Sequence, residues 1–141
     1  MTISNLRIRN VSSLSMFIFG ILAFALGLLG IIRPETTLSL LNFEVLDQTQ
    51  RATGDYSLVF LIASSMASVN MGIYYILASL NNLQIFYRWT VPFRIVTFIV
   101  FTWAVISGIA PLGFIGVGLW ELIGAILTGL ALLYERKHKI T

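Results

Sequence analysis

Four long apolar stretches take up most of the chain, roughly Leu14–Ile32, Tyr56–Leu80, Trp89–Ile109 and Phe114–Tyr134. A helix needs about 20 mainly apolar residues to cross a hydrocarbon core of roughly 30 Å. A soluble domain of this size has nowhere to hide so much apolar surface. Only 11% of the residues are charged, where soluble domains average about 25%. Mean hydropathy is +0.90. The expected fold is therefore all-α: an integral membrane four-helix antiparallel bundle in a single domain, residues 1–141, with helices at about 14–32, 48–80, 89–109 and 114–134.

The composition excludes several chemistries. There is no cysteine, hence no disulfide, thiol relay, cysteine nucleophile or cysteine-held metal. The one histidine, His138, sits in the charged tail. A membrane cytochrome holds haem with paired histidines inside the bundle. No metal cluster, cofactor motif or nucleophile–base pair is apparent. Gly108, Gly113, Gly116 and Gly118 cluster at a hairpin turn and do not make the G-x-G-x-x-G phosphate cradle. These absences weigh against an enzyme. The net charge of +3 comes from basic residues at the ends of apolar segments, not from a basic stripe with interleaved aromatics, so nucleic acid is not the partner.

Flanking charges give a topology. Arg7 and Arg9 precede the first span and imitate a signal peptide. That run is too long for a signal core, and no small-x-small cleavage site follows it, so it reads as a retained first helix. Arg88 lies in the second loop, and Arg136, Lys137 and Lys139 lie in the tail. The first loop is acidic (Glu35, Glu44, Asp47 and Asp55 against Arg33 and Arg51), and the third has no charge. Positive residues favour the cytoplasmic side. The expectation is a multi-pass cell-membrane protein with both termini cytoplasmic.

Turn and cap signals refine the picture. Pro34 suits the first turn of a new helix. Leu38, Leu41 and Val45 at i, i+3, i+7 suit a short interfacial helix in the first outer loop, Pro34 to about Phe43. Asp47-Gln48-Thr49-Gln50 has the form of a capping box, placing the second helix start near Gln48. Arg51 and Asp55 then share a face. Asn81-Asn82 supplies the stop, and Pro111 and Gly113 mark a tight hairpin. Small residues recur at four-residue spacing: Ala23 and Gly27; Ser64, Ser68 and Gly72; Gly124 and Thr128; Ala125 and Gly129. Such stripes allow close helix packing in lipid, either within one bundle or between copies in a homo-oligomer.

Polar residues inside the spans are where function is sought. Glu121 lies about 10 Å down the fourth helix at 1.5 Å per residue. A carboxyl left without a partner at that depth favours its neutral form. Ser64, Ser65, Thr102 and Trp103 fall near its level, with Arg51 and Asp55 at the mouth. If their faces converge they form a ligand pocket; serine and threonine also bond their own helix backbone. Asn70 reads as structural glue worth on the order of 1 kcal/mol, and Arg94 as a cation snorkelling to the inner headgroups.

Three segments carry a resemblance: Gly30-Ile31-Ile32-Arg33-Pro34-Glu35, Arg51-Ala52-Thr53-Gly54 and Trp120-Glu121-Leu122-Ile123-Gly124-Ala125. Through Arg51, Gly54 and Glu121 above all, the chain resembles small bacterial membrane proteins of the DoxX-like kind. The resemblance implies a four-helix bundle, a role for some members as accessory subunits of quinone-linked oxidoreductases, and a partnership of Arg51 with Glu121. Depth counting separates those two Cα atoms by about 18 Å along the normal. The functional expectation is a non-enzymatic protein binding a small apolar or amphipathic ligand (a quinone by the resemblance), or a partner membrane protein, amid membrane lipid. The alternatives are a proton-coupled small-molecule transporter working as a dimer around Glu121, and an accessory subunit of a membrane oxidoreductase.

Overall fold

The computed structural model describes residues 8–47 and 49–138. Arg7 and Lys139, used above for topology, and Gln48, the expected helix start, lie outside them. The elements are α1 (Val11–Ile32), α2 (Pro34–Leu40), α3 (Ser57–Leu80), α4 (Gln84–Ile106), a 3-10 turn at Leu112–Phe114, and α5 (Ile115–His138). No strand occurs among the described residues. The four long helices are each long and apolar enough to cross a membrane.

Three helix starts differ from expectation. The helix expected from Gln48 begins at Ser57. The Asp47–Gln50 segment does form half of a capping box: Gln50 Oε1 accepts the Asp47 N–H at 3.2 Å. It closes only a turn, because Gly54 at φ +94 turns the chain out of helical geometry. The N-cap residue is Tyr56, and the side chain that closes this end is that of Asp55 just before it, whose Oδ1 accepts the Ser57 N–H at 2.9 Å. α4 begins at Gln84, five residues before the expected Trp89, and α1 at Val11 rather than Leu14. The first turn of α1 carries Ser12 and Ser13, and α4 begins with Gln84; a hydropathy reading assigns such residues to loops.

The helix ends are chemically alike. α2, α3 and α4 stop where Asn42 (φ 60), Asn82 (φ 52) and Gly108 (φ 71) enter the left-handed region. In each, the next N–H reaches back to a carbonyl five residues earlier: Phe43 to Leu38, Leu83 to Ala78, Ile109 to Ala104. This Schellman arrangement satisfies carbonyls the helix leaves open. Asparagine and glycine tolerate the required φ.

α1 and α3 form the closest pair. Neighbours descend one helix as they climb the other: Ser79 donates to the Ser13 carbonyl at 2.6 Å, Gly20 lies against Gly72, and Gly27 against Ser65. α4 and α5 pair likewise, with Phe98 beside Gly118 and Val91 beside Gly129. α1 joins the two pairs by packing on α5, where Ser15 and Thr128 hydroxyls meet at 3.0 Å. α3 and α4, though consecutive, have few close backbone approaches and meet mainly near their shared turn, where Tyr75 packs on Phe86. They diverge from their shared turn and leave one side of the molecule open.

A polar tie holds the end where the chain's described termini meet. Glu135 of α5 accepts the Ser12 N–H at 2.7 Å, the Ser12 hydroxyl at 2.9 Å and the Gln84 amide at 3.2 Å. A carboxylate from another helix thus caps the first turn of α1, where open N–H groups favour negative charge. Tyr87, fully buried, donates to the Ala78 carbonyl at 2.9 Å. At the opposite end Phe114 packs on Phe101 and Phe43, at 4.7 and 6.1 Å between centroids.

The Asp55 cap yields a pH prediction. The Ser57 backbone N–H, then its hydroxyl, hold the Asp55 carboxyl below the ordinary carboxylate value. A depressed folded-state value means the cap is in place above the ordinary range and is lost as pH falls through the depressed one. Amide exchange at Ser57 and Leu58 accelerates in acid relative to an Asp55→Asn chain at the same pH, since asparagine caps without titrating. Identical behaviour of the two chains excludes the cap.

Candidate functional site

Arg94 decides the centre of this molecule. It sits in mid-α4, with 4% of its side chain exposed. Because α4 begins at Gln84, Arg94 stands ten residues into the helix instead of the five that a start at Trp89 implies, and its side chain turns into the bundle and does not run toward the helix end as snorkelling requires. Its Nε donates to Glu121 Oε2 at 2.9 Å. Its guanidinium carbon lies 4.2 Å from the Phe19 ring centroid and 5.3 Å from that of Tyr75. Phe19 in turn packs on Trp120 at 4.7 Å. The guanidinium thus rests among aromatic rings, where the cation–π attraction of a desolvated site is worth about 2 kcal/mol.

Gly124 makes room for it. A Cβ there would stand 2.5 Å from Arg94 Nη1 and 2.7 Å from the Phe19 ring. Nη1 therefore lies against the α5 backbone, buried and without a hydrogen-bond partner. Glu121 is 24% exposed, and its Oε1 accepts nothing from the described residues. The pair is held at one point, leaving donors and an acceptor uncommitted.

The divergence of α3 and α4 opens a cleft of about 580 Å³ onto this pair. Met71 and Tyr75 line the α3 wall, and Trp89 and Phe93 the α4 wall; Ala23 of α1 forms part of the floor. Pro92 falls in the same stretch of α4. Its missing N–H leaves one helical hydrogen bond unmade. Small-molecule sites typically occupy about 300–1,000 Å³, mostly apolar with a few convergent polar groups. This cleft has that character.

Of the residues expected to surround Glu121, none but Glu121 itself lines the cleft. Ser64 is exposed and donates to the Leu61 carbonyl of its own helix at 2.9 Å. Ser65 is buried against Gly30 of α1. The Thr102 hydroxyl is buried without a partner, two turns along α4 from Arg94. Trp103 is 60% exposed. Arg51 does not reach Glu121: its Nε donates to the Leu46 carbonyl at 3.2 Å, and Asp55 caps α3. Asn70, expected between helices, is exposed on the far side of α3. Depth counting orders residues along the normal, but rotation about each helix axis decides which meet.

One signal could have found the pair. Between Trp89 and Tyr134 the only Asp, Glu, Lys or Arg residues are Arg94 and Glu121. They are of opposite sign, on two helices that a short hairpin makes neighbours. Glu135 carries no comparable mark.

Compared with protein-family models, curated proteins and solved structures, the chain matches none.

Proposed function

We propose that this is a membrane protein that takes a small amphipathic molecule from the bilayer into the cleft between α3 and α4. Its polar group meets Arg94 and Glu121, and its apolar body lies along Trp89, Phe93 and Met71. The observation that carries this reading is a nearly buried arginine, ion-paired to a partly exposed glutamate at the wall of an open, aromatic-lined cleft. A group that accepts from Arg94 and donates to Glu121, such as a hydroxyl or carboxylic acid, fits the uncommitted atoms. In this reading the chain crosses a cell membrane four times as an antiparallel bundle. The basic segments place both termini in the cytoplasm, and α2 lies at the outer interface. Proton coupling through Glu121 is less favoured, since Arg94 engages the carboxylate directly.

Trp89 and Trp120 report on the cleft. In a Trp103→Phe chain, dibromostearic acid added to nanodiscs quenches their fluorescence saturably. Adding Arg94→Met and Glu121→Gln together removes the saturable phase. Quenching that rises linearly, and equally in both chains, means the acid only dissolves in the lipid, and the proposal fails.

A further inference from the structure

Asn70 lies near the middle of α3 and is exposed, pointing away from α1. Among the described residues its amide has no hydrogen-bond partner. A polar side chain at mid-span tends to find a partner from another helix. Among the described residues none is offered. The small-residue stripes do not compete for the role of interface: Gly20, Gly27 and Gly72 are spent between α1 and α3, and Gly124 on Arg94 and Phe19.

Asn70 stands in a patterned seam. Ala63, Met66, Asn70, Ile73 and Leu77 alternate at three- and four-residue steps, and all are exposed. That is the spacing by which helices supercoil, with one polar residue in an otherwise apolar seam setting register and partner number. The seam turns away from the buried face of α3, formed by Ser65, Val69, Gly72 and Ser79.

We propose that this face of α3 is where the protein pairs with a second copy of itself, through Asn70. Two features select a like copy. An amide carries both donor and acceptor, so Asn70 can bond Asn70 reciprocally, as no single charge can. Two chains inserted in the same sense are related by an axis along the membrane normal, which brings each residue to the depth of its own equivalent. A two-fold interface is self-complementary in this way. The seam is separate from the Arg94 cleft, and pairing here leaves the cleft open to lipid.

The chain has no cysteine, so single cysteines can be placed without background. Oxidation in lipid vesicles cross-links Ala63→Cys and Leu77→Cys chains to themselves, whereas Ile99→Cys, on the exposed surface of α4, stays monomeric. Adding Asn70→Leu weakens the dimer about 3- to 30-fold, the range for one interhelical polar contact, and Asn70→Gln retains it. Because Asn70 is exposed and makes no hydrogen bond to the described residues, both variants keep the parent's helical content. Cross-linking indifferent to position overturns the proposal, as does one-step photobleaching of labelled protein in vesicles, or capture of the seam by a different membrane protein.

Discussion

Replacing Glu121 with glutamine while Arg94 remains costs about 3 kcal/mol, the low end for breaking a buried pair, because Glu121 keeps 24% of its side chain exposed. The loss is large for the charge left behind. Arginine does not give up its proton, so Arg94 stays ionised among Phe19, Tyr75 and the α5 backbone. The reverse change, Arg94→Met, costs less. Glu121 is then left at the open cleft, 24% exposed, and not enclosed among rings as Arg94 is. The double variant Arg94→Met with Glu121→Gln regains most of the Glu121→Gln loss, since replacing both members of a buried pair is often close to neutral. Reversible unfolding in mixed micelles, run as a double-mutant cycle, measures all three. Equal costs for the two single changes, adding in the double, would show that the two side chains do not interact. The double variant is also the folded background that the fluorescence test of the cleft requires.

The second large effect concerns the α1–α3 crossing. Gly72→Val destabilises the protein by about 3 kcal/mol, the top of the usual overpacking range. A Cβ at that position would stand 2.6 Å from the Phe24 N and 2.7 Å from the Gly20 O. Those are backbone atoms, which cannot swing aside as a side chain would. The helices must separate, and with them Ser68, whose hydroxyl donates to the Ala23 carbonyl at 2.9 Å. Gly116→Ala is the matched control: a Cβ there meets nothing within 4 Å, and alanine gains about 0.5–1 kcal/mol of helix preference. The same unfolding assay separates the two. A Gly72→Val chain as stable as the parent refutes the close crossing.

How much of this was legible beforehand varies by residue, for physical reasons. The stops at Asn82 and near Pro34 follow from local chemistry: an asparagine that tolerates positive φ, and a ring that cannot continue a helix. The starts at Val11 and Gln84 were hidden. Ser12, Ser13 and Gln84 look like loop residues until Glu135, Asn82 and Tyr87, distant in the chain, satisfy them. A start at Trp89 makes Arg94 look like a residue of the helix end, and counting along the helices says nothing of rotation, so it sets Glu121 beside Ser64 and Thr102, neither of which lines its cleft. The small-residue stripes were visible as a pattern. That Gly72 serves Gly20 and Gly124 serves Arg94 was not, because spacing along one helix is silent about the helix opposite.

The amino-acid order alone determined the number of helices long and apolar enough to cross a membrane and the chemistries that cysteine and histidine usage shut out. These depend on transfer energies and chain lengths that sum along the sequence. Only the tertiary structure decided that Arg94 meets Glu121, that α3 and α4 part to open a cleft, and that Asn70 is left facing outward. Those outcomes depend on the rotation and splay of each helix, set by contacts between residues far apart in the chain.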